Sequence, residues 1–281
     1  MLHNLVVLAP PLCGARMLVN QLMEHYCYDP GSNCHPCGYD VSQSSYEDVQ
    51  TTYLNASLFS WHKMQNTWNH DPAMNPFTFF LDMKVGQPLW RDATAAPVLL
   101  RMQQRQPWVR KDPQFVYVTP YWIKHVWKLP ALLPKFLVLI RPPSDWVNAI
   151  FHRCVPGAWP SIPKDIDYFI GLWMDYMNHL LCLMRNADVA QRTMVMTLEC
   201  LCDPAEQERL QKHLNSPSPI RFSALDISKV RHLSRMKGHV IGNQTAEVLW
   251  SYWIRILRES APNTNGLVLP ESHAVFSSIL N

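Results

Sequence analysis

PPLCGARML, from Pro10 to Leu18, and LVLIRPPSDWVNAIFHR, from Leu137 to Arg153, decide how this chain is read. Each puts a basic group between an apolar strand and a helix. Before the first, Leu5 to Ala9 is a short β-type run that Pro10-Pro11 ends, and Gly14 permits a tight turn into a helix from Ala15 to about Tyr26. Such a turn points backbone N–H groups and the positive end of the helix at an anion. In the second, Phe136 to Ile140 reads as a buried strand, Arg141 stands at its carboxyl end, and Pro143 fits the first turn of the next helix. Two basic turns at strand ends imply one ligand with two phosphate-like groups.

Working outward, the order is strand, helix, long irregular stretch, strand, loop, strand, helix, helix, strand, helix. That is an α/β pattern with a doubly wound, mostly parallel sheet flanked by helices. From Asp29 to Asn75 the chain is rich in Ser, Asn, His and Tyr without periodicity, which predicts loop and short helix covering one rim. Phe77 to Met83 reads as a second strand and Gln114 to Val118 as a third, ending at Thr119-Pro120. Asp165 to about Asn186 carries a helical stripe at Phe169, Leu172, Trp173, Tyr176, Leu180, Leu181 and Met184. Thr193 to Leu198 reads as a fourth strand, Pro204 to Leu214 as an amphipathic helix with an acidic first turn, and Thr245 to Arg258 as a last helix.

The length of 281 residues, 48 % of them hydrophobic, suits a single domain over residues 1–281 with a sizeable core. A net charge of +3 is too mild for a nucleic-acid partner, yet it suits a site that neutralises an anionic ligand. No window of about twenty uninterrupted apolar residues appears, so no membrane span is expected. Leu2 to Leu8 lacks a basic leader and reads as a core strand, which makes the expected location cytoplasmic.

Eight cysteines form no even framework. Cys154, Cys182, Cys200 and Cys202 lie among apolar residues and read as buried thiols. Cys27, Cys34 and Cys37 with His25 and His35 are compatible with a zinc site, with a local disulfide, and with free loop thiols, the simplest of the three. Trp61, Trp68, Trp90, Trp108, Trp122 and Trp127 crowd the middle third, mostly as core, with some available to stack on an adenine or an acceptor.

The two turns and their order resemble the sulfotransferases that use 3′-phosphoadenosine 5′-phosphosulfate (PAPS). In that family the first turn commonly reads P-[RK]-S-G-T-T-x-L and wraps the 5′-phosphosulfate; here Pro11, Cys13, Gly14 and Leu18 keep the frame. The second commonly reads R-N-P-x-D-x-x-x-S, whose arginine and serine hold the 3′-phosphate; here Arg141, Pro143 and Asp145 match. MTLECLCDPAEQERLQKHL, from Met196 to Leu214, is similar to the family's Y-E-x-L-x-x-D-P and its helix, through Glu199, Leu201, Asp203 and Pro204. Thr119-Pro120-Tyr121 and the loop RMKGHVIG at Arg235 to Gly242 are fainter likenesses.

The resemblance implies a sulfotransferase, or P-loop NTPase-like, fold. It implies PAPS as donor and the bisphosphate PAP as product, with no metal. A nucleotide site would draw on Pro11, Leu12, Cys13, Gly14, Ala15, Arg16, Met17, Arg141, Ala149, Lys237 and Gly238, and the acceptor would be a small molecule, carbohydrate or protein. The departures fall on the chemistry. Leu12 replaces the basic residue, and Cys13, Ala15 and Arg16 replace three phosphate-contacting hydroxyls. Ala149 replaces the serine of the second turn. Arg16 is placed to compensate at the leaving oxygen. For the family's glutamate or histidine base, Asn75 and Pro120 stand instead, leaving Asp82 and His125 as candidate bases and Lys84 for the leaving group. Loss of hydroxyls and base together keeps open a noncatalytic protein of this fold that binds nucleotide or a partner. A phosphoryl-transfer enzyme fits less well, since the turn lacks the Walker lysine and its Ser or Thr.

Overall fold

The computed structural model describes residues 2–10, 12–31, 34–37, 40–48, 50–52, 54–55, 92–127, 133–154, 166–197, 201, 203–222, 248 and 250–255; of 34–37, 40–47, 92–97, 125, 148, 150–154 and 166–168 it describes the backbone alone. Four parallel strands form one sheet in the order β4-β1-β5-β6, with β1 Leu5–Leu8, β4 Val109–Lys111, β5 Lys135–Ile140 and β6 Thr193–Thr197. The remaining strands, β2 Cys34–Cys37 and β3 Asp40–Asp48, pair antiparallel as a separate hairpin. Helices are α1 Ala15–Tyr26, α2 Asp92–Gln104, α3 Phe115–His125, α4 Pro143–Cys154, α5 Ile166–Met184, the short α6 Ala187–Ala190, and α7 Pro204–Leu214.

All of β1 and β6, and β5 from Phe136 onward, are buried, as expected of parallel strands covered on both faces. The layers follow from the helices' apolar sides. On α5 the side chains of Phe169, Leu172, Trp173, Tyr176, Met177 and Leu180 are all buried, and this helix packs against both α3 and α4. α3 reaches back to β1, whereas α1 packs against β3 and β4. Trp108, Phe115, Trp122, Trp127 and Phe136 form an aromatic cluster between α3, the residues just after it and the starts of β4 and β5, with Trp108 and Trp127 stacked at 6.3 Å.

The expected first, β5 and β6 strands and the helices α1, α4, α5 and α7 all form, and residues 250–255 are helical where the last helix is expected. Asp203 caps α7 by accepting from Ala205 N at 2.9 Å, with Pro204 at the first helical position. Two expectations are corrected. Gln114 to Val118 is no strand: Phe115 opens α3, and Thr119 and Pro120 lie inside that helix. Residues 115–118 are buried on every side, so the run carries neither a two-residue nor a 3.6-residue period to separate strand from buried helix. The strand that pairs with β1 lies just upstream, in Val109-Arg110-Lys111, where two cations disguise it.

Nor is the segment from Asp29 to Asn75 simply loop and short helix, because β2 and β3 lie within it. The polar hairpin has no apolar alternation to announce it; it packs on β4 through β3. Gly31 permits this approach, with φ +119° and room for no side chain: a Cβ there would come within 2.3 Å of Asp48 Cβ. The expected strand Phe77 to Met83 lies outside the described residues.

α7 is docked at the opposite end of the sheet by His213, whose Nε2 donates to Phe136 O at 3.1 Å. Burial, followed by the charge of Lys135, pushes its imidazole down to about 3 from 6.5. The unfolded chain therefore binds the extra proton between about pH 6.5 and 3, and His213 costs stability as pH falls through that window. His213→Gln, which keeps a donor for the carbonyl, is expected to remove this acid-side loss, read as urea midpoints between pH 4 and 7.

Candidate functional site

β1 and β5 are neighbours in register, Leu5 with Lys135 through Leu8 with Val138, so the segments that follow them emerge side by side at one edge of the sheet. From β1 the chain moves to β4 on one flank, and from β4 it returns past β1 to β5 on the other. The two turns singled out in the sequence thus meet where the winding reverses.

The first turn has a particular backbone. Leu12 is left-handed with φ 62°, Gly14 is left-handed with φ 84°, Cys13 between them is not, and Ala15 begins the helix. The sign of φ therefore alternates over four residues, the kind of alternation from which anion-binding nests of backbone N–H groups are built. Gly14 caps α1 without any side-chain hydrogen bond to the first turn, whereas Asn186 and Asp203 cap α6 and α7 with their side chains. Cys13 is 1 % exposed, Ala15 is buried, and Leu12, Arg16 and Met17 are half-buried.

Arg141 ties the two turns together. Its side chain is 3 % exposed, and its Nη1 donates to Leu12 O at 2.9 Å. Among the described residues its Nε is buried with no hydrogen-bond partner. An unsatisfied guanidinium donor beside such a turn is a costly arrangement without an anion to accept from both. Trp173 Nε1, from α5, donates to Arg141 O at 3.1 Å. Ala149 is buried within α4 and offers only a methyl.

Pro11, Asp82, Lys84, Lys237 and Gly238 lie outside the described residues. His125 is the last residue of α3, and its side chain is not among those described. Leu12, Cys13, Gly14, Ala15, Arg16, Met17 and Arg141 are brought together at the sheet edge; Asp82 is not placed, and His125 ends α3 two residues before Trp127, whose ring packs on Trp108 and Phe136 at the starts of β4 and β5. Of the predicted buried thiols, Cys182 is half-buried; Cys27 is exposed, in the left-handed residue that ends α1. Cys34 and Cys37 stand on β2. Among the described residues no group of three or more His, Cys, Asp or Glu is placed to hold a metal, and no helix is long and apolar enough to cross a membrane.

Sequence reasoning missed the polar layer at the same edge. Asp112, just past β4, accepts from Asn55 Nδ2 at 2.8 Å and Gln114 N at 2.9 Å, and Asn55 Oδ1 accepts from Trp122 Nε1 at 2.8 Å. Tyr117 donates to Asp175 Oδ2 at 3.1 Å, and His179 Nδ1 lies 2.8 Å from Asp175 O. Burial raises the Tyr176 phenol, against the lowering by its hydrogen bond with Tyr117 and with Asp175 and Asp112 adding to the rise. A tyrosine or aspartate in a helical stripe gives no advance sign of such a network.

Burial pushes the Asp175 carboxyl up to about 6, against the lowering by Tyr117. The folded state then binds the extra proton between about pH 3.8 and 6, and stability falls as pH rises through that window. This slope opposes that of His213, and the two cancel over their common range. Asp175→Asn is expected to unmask the His213 slope and to raise stability at pH 7.5 by about 1–2 kcal/mol, read from urea unfolding at pH 4.5 and 7.5.

Comparison with protein-family models, with curated proteins and with solved structures gave no match. The class of the chain is therefore defined by its own fold and site: an α/β protein with a parallel four-stranded sheet among its described residues. At the carboxyl edge of that sheet stand a turn of alternating φ sign and a buried arginine.

Proposed function

We propose that this chain is a PAPS-dependent sulfotransferase of doubly wound fold, binding the nucleotide in the crevice between the ends of β1 and β5. The observation that carries the reading is Arg141, whose Nη1 holds the first turn at Leu12 O while its Nε remains buried without a partner among the described residues. Crevices where strand order reverses are the usual ligand sites of such sheets. The nest from Leu12 to Ala15 would take the 5′-phosphosulfate and Arg141 the 3′-phosphate. Arg16, in the first turn of α1, is the cation for charge that builds on the leaving oxygen.

The donor supplies the sulfuryl group: a sulfur–oxygen bond to an acceptor hydroxyl, or its nitrogen counterpart, forms as the bond to the phosphate oxygen breaks. The acceptor's proton passes to a base, for which the sequence offers His125 and Asp82, and Lys84 is its candidate to serve the leaving group. Backbone amides and guanidinium groups suffice for this charge, and no metal is required. The acceptor is a small molecule, a carbohydrate or a protein.

A noncatalytic, nucleotide-binding form is the second reading. It is favoured by the commitment of Arg141 Nη1 to the protein's own backbone and by the buried methyl of Ala149 where a hydroxyl would serve phosphate. Calorimetric titration with adenosine 3′,5′-bisphosphate, beside ATP and AMP, tests binding, and release of the bisphosphate from PAPS with an acceptor panel tests transfer. Selective bisphosphate binding with turnover supports the enzyme; binding without turnover supports the second reading; absence of binding by the folded protein removes both.

A further inference from the structure

Leu12 is held in a backbone conformation that disfavours a residue with a side chain, so something must fix it. The nearest restraint is Arg141 Nη1 on its carbonyl. That restraint is only as firm as the backbone of Arg141, which lies one residue beyond the last sheet pair, Ile140 with Thr197. Its carbonyl is the first past the β5–β6 ladder, and Trp173 satisfies it across the fold from α5. Trp173 is wholly buried and packs at 6.5 Å against Trp250 of the helical segment 250–255.

We propose that Trp173 is a positioning residue for the anion site, acting through Arg141 to hold Leu12 in the left-handed conformation that the nest requires. The chain of contact is Trp173 Nε1 to Arg141 O, then Arg141 Nη1 to Leu12 O. The ligand half of this inference rests on the nucleotide reading above; the conformational half does not.

Trp173→Phe keeps the buried ring and deletes only the donor. Trp122→Phe is the control, since it also removes an indole hydrogen bond from a fully buried tryptophan, but one given to Asn55 Oδ1 at 2.8 Å rather than to the backbone of Arg141. In ligand-free protein, Trp173→Phe is expected to quicken hydrogen exchange over residues 12–18 about tenfold, with Trp122→Phe at the wild-type rate there. Adenosine 3′,5′-bisphosphate should bind Trp173→Phe about tenfold more weakly than wild type. Unchanged exchange over 12–18 in Trp173→Phe, or equal quickening in both variants, overturns the proposal. Local quickening in a protein whose wild type does not bind the bisphosphate upholds the positioning role and removes the nucleotide reading instead.

Discussion

Arg141→Ala is expected to weaken binding of adenosine 3′,5′-bisphosphate by about a hundredfold or more. A hydrogen bond to a charged partner contributes roughly 1.5–3 kcal/mol, and a hundredfold corresponds to about 2.8 kcal/mol. On the nucleotide reading the buried Nε of Arg141 faces the ligand while its Nη1 tethers Leu12 O, so its removal would subtract a direct contact and loosen the turn together. ATP and AMP, which lack the 3′-phosphate, should lose little. Arg141→Lys keeps a charge but not a planar fork, and should fall between wild type and alanine. Calorimetry on variants whose circular dichroism and Tm show an intact fold reads this directly. Equal affinity in wild type and Arg141→Ala would assign Arg141 to structure alone.

Asp29→Ala should destabilise the fold by about 1.5–3 kcal/mol, since it takes one half-buried carboxylate from a buried guanidinium that Asp48 also supports. Arg110 on β4 is 1 % exposed, and burial lowers its pKa against the support of Asp48 and Asp29. Asp29 meets it with a carboxylate oxygen at 3.5 Å and a carbonyl at 2.8 Å, and pairs with Arg101 at 3.1 Å. The backbone of Asp29 also accepts from Val109 N at 3.0 Å, which secures the outer side of β4. Asp29→Ala leaves that backbone bond in place, so urea unfolding isolates the carboxylate. In the double variant with Arg110→Met, which removes the stranded charge, most of the loss should be recovered; a single-variant loss below about 1 kcal/mol would show that Asp48 alone suffices for Arg110.

Arg141 and Arg110 stand very differently in the sequence. Arg141 is legible because it follows an unbroken apolar run and precedes a proline suited to a helix start, so its place at a strand end needs no partner to be inferred. Arg110 is not legible. Strand β4 is three residues long, and two of them are cationic, so no window of hydrophobicity marks it; its strand character comes from pairing with β1 and from the carboxylates that neutralise it. The same holds for the hairpin of β2 and β3, where polar residues form strands on account of what they pack against. Phe115 to Val118 errs in the opposite sense, a β-prone run that a fully buried helix absorbs, since burial on all sides erases the period that separates the two.

By itself the sequence determined the strands β1, β5 and β6, the helices that follow β1 and β5, the cap of α7, and the presence of a turn at Gly14 and a cation at Arg141. These depend on local propensity and on a periodicity that survives within one segment. Only the tertiary structure decided that the two turns meet, that Leu12 takes a left-handed conformation, and that Arg141 reaches it with Trp173 behind. Those depend on register between strands distant in the chain and on single hydrogen bonds across more than a hundred residues, for which neighbouring residues carry no signal.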